Sequence, residues 1–338
     1  MAIYELIKLD IFSLSADAIL DLYSANNIIV KKYGFLNRTR NINEYKFRFL
    51  TTFASKENEL FVLKENDSIC GILTFEDDTD WGGNKQYKLG IKLCTKEINP
   101  HLVDCLRQFV HEKLEQHGFI AITVHGDELD ELIKGFSTKV QIRGRFYTVS
   151  KADIDANMLE KTAEIIQMKN PDLRMEFMDI IPEEYIKQFT DLWYELQLDM
   201  PDAKEDGYTP AFISAERIRK QNSAIADDFV MYYRYVILNE NNEMIAQSNV
   251  NFGTINTRFP YQFMIGVSKR YRGRGLGKWL YAAMYQKLLK EVNFEKAYVG
   301  HHPENKHIIS ISEWIGYKFA YKETTYAVQA KRGDALVL

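Results

Sequence analysis

The chain has 338 residues, more than one ordinary domain, and 46% of them are hydrophobic, enough to form the cores of two domains. A formal net charge of -4 argues against a nucleic-acid-binding protein, because such proteins usually carry a strongly basic surface. The sequence contains no run of about 18 apolar residues, so we expect no membrane span. The first residues, MAIYELIKLD, lack the basic segment and the apolar core of a secretory signal.

The first half of the chain predicts a mixed α/β domain. In chain order, the pattern predicts a strand in YELIKLD, helices at residues 15–33 and 43–54, strands in ELFVLKEN, SICGILTFED and QYKLGIKLC, a helix in INPHLVDCLRQFVHEKLEQHG, a strand in FIAITVHG, a short helix in DELDELIKGF and a closing strand in TKVQIRGRFYTV. Gly118 follows the long helix directly, and glycine is a common helix stop.

The second half predicts the same order of elements. They are a strand in RMEFMDII, helices in PEEYIKQFTDLWYELQL and TPAFISAERIRKQNSA, strands in DFVMYYRYVILNE, EMIAQSNVNFG and YQFMIGV, a helix at residues 277–292, a strand in KAYVGHH, a short helix in NKHIISISEWIGY and a closing strand in KFAYKETTYAVQA. Each half ends its last short helix with glycine and an aromatic residue, Gly135-Phe136 and Gly316-Tyr317.

The shared order indicates an internal duplication. We predict an α/β (α+β) protein of two tandem domains, at residues 1–150 and 174–338, each with a mixed, mostly antiparallel central sheet flanked by helices. The polar segment 151–173 contains the breaker Asn170-Pro171 and is predicted to be the linker.

The cysteines predict no cross-links. Cys70, Cys94 and Cys105 are odd in number, widely spaced and without a CxxC pair. We expect reduced thiols in a cytoplasmic protein, with neither disulfides nor a metal site.

The stretch VSKRYRGRGLGKWLYAAM, residues 267–284, predicts an anion site. A turn between a strand and a helix exposes unpaired backbone N–H groups, and the helix dipole adds positive charge there. Glycines at 273, 275 and 277 allow a ligand to approach the backbone closely and allow positive φ angles. Basic residues surround them, namely Arg270, Arg272, Arg274 and Lys278. The pattern therefore favours a bound phosphate or pyrophosphate.

Two common nucleotide motifs do not fit this stretch. The Walker pattern needs Ser or Thr where Trp279 stands, and glycine where Arg272 stands. The dinucleotide pattern GxGxxG needs glycine where Lys278 stands, and the preceding strand is the fourth of an antiparallel-looking series.

The residues do resemble another family. Arg272 to Gly277, in the sequence RGRGLG, match the acetyl-CoA motif R/Q-x-x-G-x-G/A of the GNAT superfamily of N-acetyltransferases, and Val267 matches the apolar residue before it. Downstream, ENKHIISISEWIGYKF resembles the second conserved stretch of the family, with Asn305 on its asparagine. The resemblance covers residues 174–330 closely and residues 1–150 by element order, so both predicted domains are GNAT-like.

The resemblance implies how acetyl-CoA binds. In that family the fourth and fifth strands splay apart, and the pantetheine arm inserts between them like an added strand. Here the backbone of Ile265, Gly266 and Val267 would pair with the arm, and Asn305 would contact it from the other side. The pyrophosphate would be held by the amides of the turn, which are those of Arg272, Gly273, Arg274, Gly275, Leu276, Gly277 and Lys278.

The implied reaction is the direct transfer of an acetyl group to a primary amine through a tetrahedral intermediate. The intermediate needs a hydrogen-bond donor, for which the Val267 N–H is suited. Many relatives have a tyrosine at the position of Ser312, where serine could hold the sulfur or a water, or could simply be a small helix residue. His301 could be the general base, since the preceding strand has no carboxylate, or could have a polar or structural role.

The acceptor would be a small-molecule amine bound near the acidic loop LQLDMPDAKEDGYTP and the hairpin NFGTINTRFPYQ. The first half has no glycine motif: it reads TKEINPHLVDCL, in which Pro100 lacks an N–H and Glu97 would repel phosphate. We expect it to keep the fold without binding the cosubstrate. We expect no metal, nucleic acid or membrane partner. A non-catalytic acyl-CoA sensor and an acetyltransferase acting on protein amino groups stay open, as do the acyl chain, the acceptor and the oligomeric state.

Overall fold

The computed structural model describes residues 3–32, 42, 45, 58–79, 85–95, 98–125, 129–204, 213–223, 230–253 and 257–329. The chain divides into two compact units. Unit 1 comprises Met1–Arg143 with Tyr321–Leu338, and unit 2 comprises Gly144–Ala320. The helix predicted at residues 43–54 lies outside the described residues except for Tyr45, which is buried.

The elements follow the predicted order. The earlier ones are β1 (Tyr4–Leu9), α1 (Ala16–Lys32), β2 (Glu59–Glu65), β3 (Ser68–Thr79), β4 (Lys85–Leu93), α2 (Pro100–His117), β5 (Phe119–His125), α3 (Asp130–Lys134) and β6 (Ser137–Ser150). The later ones are α4 (Ala156–Lys169), β7 (Arg174–Phe177), α5 (Glu183–Leu198), α6 (Ala215–Ser223), β8 (Val230–Leu238), β9 (Met244–Gly253), β10 (Tyr261–Val267), α7 (Leu276–Glu291), β11 (Lys296–His301), α8 (Lys306–Ile315) and β12 (Lys318–Gln329).

The two units have sheets of the same design. In unit 1 the strands lie in the order β1-β2-β3-β4-β5-β12, and in unit 2 in the order β7-β8-β9-β10-β11-β6. Neighbouring strands are antiparallel except for β4 with β5 and β10 with β11, which are parallel. The predicted architecture, a mixed and mostly antiparallel sheet flanked by helices in each of two units, is confirmed.

The closing strands are exchanged between the two halves of the sequence. The later strand β12 completes the sheet of unit 1, where Tyr326 pairs with Ile122 of β5. The earlier strand β6 completes the sheet of unit 2, where Tyr147 pairs with Val299 of β11. Each compact unit therefore takes its last strand from the other half of the chain, whereas the predicted boundaries gave each half its own.

The segment expected to be a linker is folded into unit 2. A 3-10 turn at Lys151–Asp153 leads into α4, whose first turn is capped by Asp155 through a hydrogen bond from the Met158 N–H (3.0 Å). Leu159 and Ile166 of this helix are buried in the apolar core around α7. The buried face of this helix packs against the turn before α7, where Ile166 lies next to Gly275.

Candidate active site

The parallel strands β10 and β11 separate after a short paired stretch. Among the described residues they pair at Tyr261 with Tyr298 and at Gln262 with Val299. Beyond that point β10 continues to Val267 while pairing with β9 on its other side. The edge of β10 that faces β11 is therefore open, and an open strand edge is able to pair with another extended chain. This is the splay that the resemblance implies.

Gln262 fixes the point where the strands diverge. The register of β10 shifts between Gln262 and Met264, which marks a β-bulge. The Gln262 side chain is buried, and its Nε2 donates to the carbonyl oxygens of Asn249 and Met264 (both 2.9 Å), with Ser248 Oγ 3.2 Å from the same nitrogen. The sequence analysis missed this residue, although a glutamine inside the otherwise apolar strand YQFMIGV was the available signal.

The turn before α7 presents free backbone amides. Gly273 and Gly275 have φ angles of 81° and 82°, a left-handed conformation that strains other residues. Gly275 is the N-cap of α7 and has no side-chain cap. In the described part of the chain, the N–H groups of residues 273–275 donate to no backbone carbonyl. They add to the unpaired amides of the first helical turn, so the predicted anion site has the donors that it requires.

The third glycine has a different role. Gly277 is helical, and a Cβ there would lie 3.2 Å from Ile311 Cδ1 of α8. Its small size serves the close packing of α7 against α8. A Cβ at Gly273 would meet nothing within 4 Å, which leaves that side of the turn open to a ligand.

Two arginines of the turn are held by carboxylates. Arg272 donates to Asp199 Oδ2 (2.6 Å) and to the Val267 carbonyl oxygen (3.0 Å). Arg274 donates to both carboxylate oxygens of Asp172 (2.6 and 2.9 Å), a hydrogen bond that lowers the pKa of that carboxyl group. These contacts stabilise the conformation of the turn, so the arginines that were expected to attract phosphate also hold the backbone of the turn in place.

Two further polar side chains, one buried and one half-buried, hold the turn. Asn170 accepts from Arg274 Nε (2.7 Å), and its own Nδ2 donates to the Ile166 carbonyl (2.7 Å). On the other side of the turn, Glu195 accepts from Ser268 Oγ (2.8 Å) and from the Lys269 N–H (3.1 Å). Asn170 was identified only as part of a breaker and Glu195 not at all, because each contacts the turn across a long stretch of sequence.

Asn305 lies where the resemblance places it, at the start of α8. It is the N-cap residue, half-buried, yet its side chain makes no capping hydrogen bond. Asparagine at an N-cap ordinarily accepts from the backbone of the first turn. Its carboxamide is therefore uncommitted within the described residues and is available to a ligand.

His301 and Ser312 are in direct contact. His301 is the last residue of β11, and its Nε2 lies 2.7 Å from Ser312 Oγ of α8. Ser312 Oγ lies 2.9 Å from the hydroxyl of Tyr281 on α7. Ser312 and Tyr281 are fully buried and His301 is 7% exposed. Burial lowers the pKa of His301 to about 4 and raises the pKa of Tyr281 above its usual value.

A second buried pair lies beside this one. Tyr285, one turn after Tyr281 on α7, hydrogen-bonds through its hydroxyl to the hydroxyl of Tyr317. The Tyr281 and Tyr285 rings stack with their centroids 5.8 Å apart. Burial raises the pKa of both Tyr285 and Tyr317, so these phenols stay protonated at neutral pH.

The face of β10 toward α5 is aromatic. The Phe263 ring lies 5.5 Å from the Trp193 ring and 6.2 Å from the Tyr261 ring, and Phe263 is 38% exposed. Of the acidic loop, Asp199 is paired with Arg272, whereas Glu205 and Asp206 lie outside the described residues.

The sequence that precedes helix α2 in unit 1 has no equivalent of the three glycines. Helix α2 begins at Pro100, and its N-cap residue Asn99 accepts from the Leu102 N–H (3.0 Å). The Val103 N–H donates to the Asn99 carbonyl (3.2 Å). Proline has no N–H, so two of the first three amides of this helix are absent or already used. Glu97, the predicted repulsive charge, lies outside the described residues.

Two other properties concern the described residues alone. They contain no cluster of three or more His, Cys, Asp or Glu side chains placed to hold a metal ion. None of the described helices is both long enough and apolar enough to cross a membrane.

The chain matches the model of the Acetyltransferase (GNAT) family over residues 176–313. It is similar to a solved structure described as a tandem GNAT protein from the clavulanic acid biosynthesis pathway, with a TM-score of 0.66 and 12% identity over 98% of this chain and 100% of that chain. It is also similar to a GCN5-related N-acetyltransferase from Sphaerobacter thermophilus, with a TM-score of 0.65 and 8% identity over 98% of each chain. At such identities these two structures establish the fold. A sequence search of curated proteins finds no significant match.

Proposed function

Because residues 176–313 match the model of the Acetyltransferase (GNAT) family and the whole chain shares its fold with tandem GNAT structures, we propose that this protein transfers an acetyl group from acetyl-CoA to a primary amine of a small molecule. The observation that carries the proposal is the combination in unit 2 of a strand edge open beside β11 with unpaired amides at the start of α7. An extended arm and a pyrophosphate of one ligand fit these two features.

The backbone of β10 supports the binding mode. The Ser268 N–H donates to Ile245 on β9 (2.8 Å), and successive N–H groups of a strand alternate between its two edges. The N–H groups of Val267 and Ile265 therefore point toward β11 and are able to pair with a pantetheine arm, with Gly266 between them. The amides from Arg272 to Lys278 would take the pyrophosphate, and Asn305 would contact the arm from the start of α8.

The transfer itself requires a positioned donor and a free amine. The amine nitrogen attacks the thioester carbon, a C–N bond forms, the C–S bond breaks with its electron pair going to sulfur, and the amine proton passes to water. The Val267 N–H would stabilise the oxyanion. We assign His301 a place beside the reacting groups and Ser312 a positioning role, because Ser312 is fully enclosed and bonded to His301.

The acceptor proposal depends on the aromatic face. Phe263, Trp193 and Tyr261 would pack against the carbon part of an amine, and the acidic loop would attract its charge. The second candidate, a non-catalytic acyl-CoA sensor, is favoured by the serine at position 312 and by the absence of a carboxylate from β10.

Titration calorimetry with acetyl-CoA tests the proposal, with one site per chain expected. Gly275→Asp should abolish binding, since it adds negative charge and a side chain at the amides. Gly118→Asp is the matched control, because Gly118 has a similar φ of 72° at the far end of α2 and should bind normally when substituted. Normal binding by Gly275→Asp would contradict the phosphate assignment, and two sites per chain would contradict a silent unit 1.

Turnover separates the enzyme from the sensor. Release of free thiol from acetyl-CoA is measured with small amines, with amine-bearing peptides and without acceptor. Release that depends on a small amine supports the proposal. Release with peptides alone indicates a protein substrate, and tight binding without turnover indicates the sensor.

A further inference from the structure

We propose that Tyr281 and Ser312 hold His301 in the tautomer that carries hydrogen on Nδ1, so that His301 acts as a neutral hydrogen-bond donor toward the cosubstrate and not as the general base. The donor role depends on the function proposed above, whereas the tautomer does not. The observation behind it is the continuous contact from the Tyr281 hydroxyl through Ser312 Oγ to His301 Nε2.

The direction of the two hydrogen bonds follows from Tyr281. Its hydroxyl is fully buried, and Ser312 is its hydrogen-bond partner among the described residues. If Ser312 donated to Tyr281, the buried Tyr281 O–H would have no acceptor, which is costly in a core. Tyr281 therefore donates to Ser312, and the single hydrogen of Ser312 is free to go to His301.

This direction determines which nitrogen of His301 is protonated. Nε2 accepts the Ser312 hydrogen, so its lone pair is occupied. A neutral imidazole carries one hydrogen, which must then be on Nδ1. Within the described residues Nδ1 has no hydrogen-bond partner and is not among the fully enclosed polar atoms, so its N–H is available to a ligand.

The surroundings of His301 keep it neutral. From α8 it meets Ser312, which is bonded in turn to Tyr281 of α7, while the Tyr147 ring of β6 lies 5.7 Å away and Arg145 is its paired neighbour on β6. Burial is the cause of its lowered pKa, and no described carboxylate faces the ring to favour the charged form. His301 lies on β11 beyond the last residue paired with β10, beside the open edge. A donor at that position meets whichever acceptor atom of the cosubstrate enters the splay.

The experiment reads the tautomer directly, without substrate. The chain has seven histidines, and nitrogen-15 labelling of histidine with His301→Gln as the assignment variant identifies the His301 signals. Wild type should show the pattern of a ring protonated on Nδ1. Tyr281→Phe keeps the ring but removes the terminal donor, and should shift His301 toward protonation on Nε2. A wild-type ring protonated on Nε2, or no change in Tyr281→Phe, would overturn the proposed tautomer.

Tyr285→Phe is the matched control. Tyr285 is on the same helix and equally buried, and it loses the same atom, but its partner is Tyr317. It should leave the His301 tautomer unchanged. A shift of equal size in this variant would mean that general repacking, and not the contact with Ser312, sets the tautomer.

Kinetics test the donor role separately. Tyr281→Phe should lower turnover on the order of tenfold, a partial loss of the effect of one oxyanion donor, while the Kd for acetyl-CoA changes by less than about twofold. Turnover equal to wild type, despite a shifted tautomer, would refute the donor role. Failure of wild type to bind acetyl-CoA would refute the proposed function and leave the tautomer result standing.

Discussion

Lowering the pH should destabilise unit 2 through His301. The folded chain holds this imidazole with its pKa near 4, against an ordinary value of about 6.5 in the unfolded chain. The unfolded state therefore binds the proton more readily between these values. The stabilising effect is complete above about pH 6.5, and it is lost as the pH falls toward 4.

The magnitude follows from the two pKa values. Relative to pH 7.5, the free energy of unfolding should fall by about 0.8 kcal/mol at pH 6 and about 2 kcal/mol at pH 5 from this group alone. The loss approaches about 3 kcal/mol below pH 4. Such a loss is a large part of the stability of an ordinary domain.

The assay compares urea unfolding of wild type and His301→Gln at pH 5, 6 and 7.5. Tryptophan fluorescence is a suitable probe because Trp193, Trp279 and Trp314, three of the four tryptophans, belong to unit 2. Other titrating groups affect both proteins equally, so the difference between the two pH profiles isolates His301. Parallel profiles would refute the conclusion that a neutral, buried imidazole is built into the site.

Two further predictions concern the splay and the turn. Gln262→Leu removes the two buried hydrogen bonds from this side chain to backbone carbonyls and should lower the free energy of unfolding by about 1–3 kcal/mol, measured by urea unfolding; an unchanged stability would mean that the bulge does not depend on this side chain. Asp199→Asn should release Arg272 and remove a negative charge, and so tighten acetyl-CoA binding by up to about fivefold at low salt and less at high salt. The control is Asp191→Asn, which breaks an exposed ion pair with Lys187 within α5. If Asp199→Asn binds acetyl-CoA as tightly as wild type or more weakly, the reasoning is contradicted.

Local signals predicted the element order and the glycine turn before α7. Alternating and helical periodicities are visible within a few residues, so the strands and helices were predictable one at a time. The positive φ angles of Gly273 and Gly275 likewise follow from a local need for glycine. The splay was predictable because a family motif stands in the same place. What these signals share is that each is contained in one short segment.

The contacts that shape the site were not predictable in this way. The closing strands β6 and β12 have similar patterns, and nothing within either one selects β11 or β5 as its neighbour. Arg274 meets Asp172, and Ser312 meets Tyr281, across 102 and 31 residues of sequence. Basic residues in a motif were therefore expected to be free for phosphate, although two of them are engaged by carboxylates that become close only in the folded chain.

The two units have the same topology but differ at the start of the helix that follows the fourth strand. Both place a helix after the fourth strand of a sheet whose fourth and fifth strands run parallel, so the same backbone position exists twice. At α2 the N-terminal groups are consumed by Asn99 and removed by Pro100, whereas at α7 the N-cap is a glycine with no side chain to use them. A helix dipole is present in both cases, but an anion also needs unpaired N–H groups that it can reach. The N-cap residue and the residue after it, Asn99 and Pro100 in one unit and Gly275 and Leu276 in the other, therefore decide how many unpaired N–H groups each helix start presents.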